Sequence, residues 1–93
     1  MPTELTSPLN GREAIAARPR THGDFTEGAQ FTQSVMHIAA AMPGYAQASS
    51  VQREGFHMIV HKLQRIAAGD PNFRDHWVDI AGYAQLVADR CPD

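Results

Sequence analysis

The sequence contains one cysteine, Cys91. It cannot form an internal disulfide, and no CxxC or Cys/His finger spacing surrounds it, so a disulfide scaffold and a zinc finger are excluded. No stretch approaches the roughly 18 apolar residues of a membrane-spanning helix. The start, MPTELTSPLNGRE, lacks the basic end and apolar middle of a secretory leader. Neither charge sign dominates: eight Lys and Arg stand against ten Asp and Glu, a net charge of −2. That balance gives no electrostatic footing for a long nucleic acid or a membrane surface. Strand-like period-2 alternation is missing, as are a P-loop, a GxGxxG turn and a GxSxG elbow. What remains is a cytoplasmic, single all-α domain, 43% apolar and 19% charged over 93 residues. A chain of this length buries only about 60–65% of its unfolded surface. Two-fold assembly is the simplest way to enlarge such a core.

Breakers divide the chain into helices. Residues 1–6 read as a frayed start. Ser7-Pro8 resembles an N-cap followed by proline at the first helical position, and a short helix is predicted from there to Ala17. Arg18 to Asp24 form a connector that turns at Gly23. The second helix is predicted over Thr26–Met42, stopped by Pro43-Gly44, with Phe31, Val35, Ile38, Ala39 and Met42 at helical spacing. Ser49 with Gln52 three residues on forms a capping-box pattern and opens a third helix, Ser50–Ala68, closed by Gly69. After Asp70-Pro71-Asn72, the fourth helix is predicted over Arg74–Arg90. The short connector implies an antiparallel hairpin over residues 50–90.

At 100° per residue, Phe56, Ile59, Val60, Leu63, Ile66 and Ala67 share the apolar face of the third helix. Trp77, Ile80, Ala81, Ala84, Val87, Ala88 and Cys91 share that of the fourth. The opposite faces mix charges with Met58, Tyr83 and Leu86. This is either a solvated surface with stray apolar groups or a second contact with a subunit or ligand.

Three groups of residues carry candidate chemistry. Glu54, His57 and His61 lie at i, i+3 and i+7 of one helix, and Asp75, His76 and Asp79 lie on the next. Carboxylates from two antiparallel helices suit Mg²⁺ or Mn²⁺, completed by substrate phosphates; the histidines with Asp79 would suit a transition metal. Lys62, the sole lysine, and Arg65 stand beside this stripe, placed either to contact a phosphate or to pair with its acids. His22-Gly23-Asp24-Phe25 either lines a small pocket or forms a turn in which Asp24 or Thr26 caps the second helix.

The stretch QREGFHMIVHKLQRIAAGDPNFRDHWVDIAGYAQLVA, Gln52 to Ala88, resembles small phage and prophage proteins of the MazG-like group. More narrowly, HKxxRI, the GDP loop, DHWxDIAGYA and the upstream HGD-aromatic element are similar to one phage-associated family. The resemblance implies a helical hairpin completed into a bundle by dimerisation, in the cytoplasm of a bacterial host. It also implies hydrolysis of nucleoside triphosphates to monophosphate and pyrophosphate with Mg²⁺ held by ExxE and ExxD pairs. On this chain those pairs become Glu54-x-x-His57 and His76-x-x-Asp79, with Asp75 adjacent, so two or three carboxylates stand where four are expected.

The expectation is therefore a protein that binds a nucleotide or related phosphate ligand on the hairpin. Glu54, His57, Asp75 and Asp79 would hold a metal. Glu54 and His61 would serve catalysis, and Lys62, Arg65, Tyr83, His22 and Asp24 would contact substrate. The alternative is a non-catalytic protein that binds a host protein or sequesters a nucleotide, with the polar helix face as its interface.

Overall fold

In the computed structural model, residues 10–16 and 20–92 are described, and among them every regular element is helical. The all-α expectation holds. Helix α1, Gly11–Ala16, buries no residue, and the Asn10 side chain accepts the Glu13 N–H at 3.0 Å. The Ser7-Pro8 start and the Ala17 end expected for this helix fall outside the described residues. The connector contains a single 3-10 turn at Arg20–His22.

Helix α2 spans Phe25–Ala40, capped by Asp24, whose carboxylate accepts the Glu27 N–H at 3.0 Å. It stops two residues short of the expected Met42 because Met42 is extended (φ −90°, ψ 143°), the conformation favoured before proline. Pro43 then opens a separate short helix, α3 (Pro43–Ala46), that the sequence reading did not contain. Helix α4 runs over Ser50–Ala68, as expected. Its capping box is complete: the Gln52 N–H donates to Ser49 Oγ at 3.1 Å, and the Ser49 N–H donates to Gln52 Oε1 at 2.9 Å. Helix α5 spans Arg74–Ala88, two residues shorter than expected. The Trp77 indole N–H reaches back to the Pro71 carbonyl at 2.9 Å and ties the first turn of α5 to the loop before it.

Helix α4 is the centre of the fold, with α5 on one side and α2 on the other. Gln52 meets Cys91, Gly55 meets Val87, and Lys62 meets Asp79, so α4 and α5 run side by side in opposite directions. Gly55 matters here because a Cβ would strike the Val87 side chain; the missing side chain lets α5 come close. On the other side Gly28 of α2 plays the same part against Gln64. No described helix is long and apolar enough to cross a membrane.

Two faces assigned from the sequence need correction. In α5, Trp77, Ala81, Ala84 and Ala88 are exposed, as is Cys91 beyond its end, while His76 is buried and Asp79, Ile80, Tyr83 and Val87 are half-buried. The packed stripe is turned by about 80° from the most apolar one, at 100° per residue. In α4, Phe56 and Ala67 are exposed, whereas Gly55, Val60 and Gln64 are buried. The cause is topological. In α4, with neighbours on two sides, there are two packed stripes, and the summed hydrophobicity points between them; in α5 the face is set by His76, drawn inward to the Thr21 carbonyl.

Candidate functional site

Polar side chains gather at three places on this frame. The first is a clamp where the 3-10 turn meets the α4–α5 loop. The Thr21 carbonyl accepts the Asp70 N–H at 3.2 Å and His76 Nε2 at 3.1 Å. A carbonyl can only accept, so Nε2 carries a proton. The His76 ring is 1% exposed and packs edge-on against Phe73 and His22, with ring centroids 4.8 and 5.6 Å away. His22 Nδ1 lies 3.2 Å from Thr21 Oγ1. Gly23 has φ 76°, and a Cβ there would collide with the Ala68 carbonyl. Glycine enters this left-handed region without steric cost. The HGD element, the GDP loop and the DHW start therefore meet one another, and what they build is a packed, hydrogen-bonded joint.

The second place joins α4 to α5. Lys62 Nζ stands 2.9 Å from Asp79 Oδ2, with the lysine side chain 12% exposed and the aspartate 46%. The lysine hydrogen bond, reinforced by the charges of Lys62, His76 and Arg65, holds the Asp79 carboxyl below the usual carboxylate range, against an opposing effect of desolvation. Below this pair, toward the open end of the two helices, a groove of about 490 Å³ is lined by Val51, Met58, Tyr83, Leu86 and Val87, with Glu54 on the α4 wall and Arg90 on the α5 wall. The structure thus brings Met58, Tyr83 and Leu86 together, the three apolar residues that stood out among charges in the sequence.

The third place is a cleft of about 370 Å³ between α2 and α4. Phe25, Gly28, Thr32 and Gln33 form one wall, and His57, His61, Gln64 and Arg65 form the other. Among the described residues that line it there is no carboxylate. His57, His61 and Arg65 reach it because residues four apart stack on one helix face.

The expected site residues are accordingly divided. Glu54 and Tyr83 lie in the α4–α5 groove. His57, His61 and Arg65 lie in the α2–α4 cleft. Lys62 and Asp79 neutralise each other. Asp24 is spent on capping α2, His22 belongs to the clamp, and Asp75 is exposed in the first turn of α5. Among the described residues no three His, Cys, Asp or Glu side chains stand close enough together to hold a metal ion. Within one chain, Glu54, His57, Asp75 and Asp79 thus form no common ligand set. Gln64, Gly28, Thr32, Val51 and Arg90 were not singled out from the sequence. Only Gly28 carried a signal, since a glycine inside a helix costs about 1 kcal/mol relative to alanine.

Compared with family models, curated proteins and solved structures, the chain matches none.

Proposed function

We propose that this chain is a non-catalytic binding module that works as a homodimer, two copies meeting along the α4–α5 groove. One observation carries the reading. The buried apolar side chains among the described residues are Ala39 and Val60, whereas Val51 and Leu86, which line the groove, are 45% and 51% exposed. Among the described residues most apolar side chains are thus only partly covered, and a second copy would extend their burial. Scattered apolar residues on a surface need no explanation, but a contiguous apolar groove does.

The groove is also self-complementary. Glu54 stands on one wall and Arg90 on the other, and no hydrogen bond or ion pair in the described structure engages the Glu54 carboxylate. A two-fold axis running along the groove sets α4 of one copy against α5 of the other, so the Glu54 of each copy meets the Arg90 of its partner and the pair occurs twice, as an isologous contact requires. Such a pairing would complete the bundle that the MazG-like motifs imply. Hydrolysis of a nucleoside triphosphate is the weaker reading, because the dispersed acids and the Lys62–Asp79 pair leave Mg²⁺ without the oxygen ligands it demands.

Sedimentation velocity on the full chain at tens of micromolar tests the dimer, with a mass of two chains expected and one chain contradicting it. Incubation with deoxynucleoside triphosphates and Mg²⁺ or Mn²⁺ tests the remainder. No pyrophosphate is expected; turnover that fails in Glu54→Ala and Asp79→Ala would restore the catalytic reading.

A further inference from the structure

Each of the three long helices carries one glycine in its interior, Gly28, Gly55 and Gly82. Gly28 and Gly55 have an internal reason, because the Gln64 and Val87 side chains fill the space that a Cβ would take. Gly82, in the middle of α5, is different. It is exposed, and a Cβ there would meet no described atom within 4 Å. A glycine at such a position weakens the helix relative to alanine. It leaves a hollow of about 640 Å³ on the outer side of α5. Val78 and Leu86, one turn before and one turn after Gly82, border that hollow and are 49% and 51% exposed.

The rim of the hollow is acidic. Asp79 and Asp89 line it, and Asp75, one turn before Asp79 on the same side of the helix, is exposed. Lys62 offsets Asp79, but Asp89 accepts from the neutral Gln85 amide, at 2.6 Å, and keeps its charge. Charge decides which occupant fits. A second copy seated here about a two-fold axis would set α5 against α5 and bring these acids toward their own counterparts, which like-charge repulsion opposes. A basic segment meets the opposite sign. An amphipathic helix presents apolar anchors at one-turn spacing. One anchor can enter the hollow at Gly82 and touch Val78 and Leu86, while flanking lysines or arginines reach Asp75 and Asp89.

We infer that the outer face of α5 is a docking site for a basic amphipathic helix of another protein, seated at Gly82. Tyr83 and Leu86 also border the α4–α5 groove, whereas Val78, Gly82 and Asp89 line the hollow and not the groove. The site therefore adjoins the contact between copies and does not depend on it.

The test is an NMR titration of the full-length protein with a synthetic amphipathic helical peptide, leucine on one face and lysine on the other. The control is the same peptide with glutamate in place of lysine. Saturable shifts of the Val78, Gly82 and Asp89 backbone amides are expected with the lysine peptide and not with the control. Gly82→Gln fills the hollow from an exposed position, so it is expected to resist urea at least as well as the parent chain. It should nevertheless bind the lysine peptide about tenfold more weakly, as overfilling a fitted contact does. Asp89→Asn is expected to weaken binding about threefold, the loss of one exposed charge pair. Absence of saturable shifts on this face would overturn the site, as would equal responses to the two peptides or an affinity unchanged in both variants. A Gly82→Gln chain that sediments as a monomer where the parent dimerises would seat a second copy in the hollow and overturn it too. A parent chain that is monomeric yet binds the lysine peptide here would support the site and refute the dimer alone.

Discussion

The two ends of the α4–α5 pair are built in opposite ways. At the loop end, the 3-10 turn closes over Ala68 and Gly69, His76 is buried, and the Thr21 carbonyl satisfies two donors at once. At the open end, Val51 and Leu86 remain 45% and 51% exposed beside an apolar groove. Polar groups are consumed at the first end, and an apolar groove is left open at the second. The residues with the most distinctive motif character, HGD and DHW, thus hold the chain together, while less conspicuous residues at the other end provide its contact surface.

The contrast can be broken most strongly at the clamp. Gly23→Val forces a branched side chain into a left-handed backbone and against the Ala68 carbonyl. A loss of ~3 kcal/mol or more in urea unfolding is expected, since strain and collision add. A loss below 1 kcal/mol would mean that the joint is soft. The next effect in size separates packing from hydrogen bonding at the same place. His76→Ala should cost about 3 kcal/mol, as for other large-to-small changes in a buried site. His76→Phe keeps a ring but removes the donor to Thr21, and should cost about 1 kcal/mol. Equal losses for the two would show that the hydrogen bond, not the ring, is what matters.

At the open end the expectation reverses. Leu86→Glu should change the unfolding free energy of the dilute chain by no more than about 0.5 kcal/mol, as for exposed sites generally. It should nevertheless abolish self-association in sedimentation. A variant that unfolds instead would place Leu86 in the core of the monomer.

The smallest effect lies between the two ends. Because the folded-state pKa of Asp79 is lowered, its pairing with Lys62 stabilises the fold above the unfolded carboxylate value of about 3.9. That contribution disappears as pH falls through the lower, folded value. Acid unfolding of Asp79→Asn should therefore show a shallower dependence on pH below about 4 than the parent chain. Identical slopes would mean that the ion pair contributes nothing.

Much of this fold was legible in the sequence, and the places where it was not have physical causes. The Ser49/Gln52 capping box fixed the start of α4 because both of its hydrogen bonds are local. Asp24 was readable as a cap for the same reason. The packed face of α5 was not readable, because it is decided by a contact from far along the chain. His76 is buried by the carbonyl of Thr21, 55 residues away, and once it is turned inward Trp77 and Ala81 must turn out. In the site, the Lys62–Asp79 pair was within reach of the sequence as one of several possible ion pairs. Gln64 was not, since only the neighbouring Gly28 makes its position unusual.

Mixing two charge-reversed variants tests the central claim, a two-fold contact across the α4–α5 groove, most directly. In Glu54→Arg every cross-dimer pair places arginine against Arg90; in Arg90→Glu every pair places glutamate against Glu54. Each variant alone is expected to sediment as a monomer. In an equimolar mixture the charges become complementary on both sides of the axis, and a species with the mass of two chains is expected to return. A mixture that stays monomeric, or single variants that dimerise as the parent chain does, would contradict the two-fold contact.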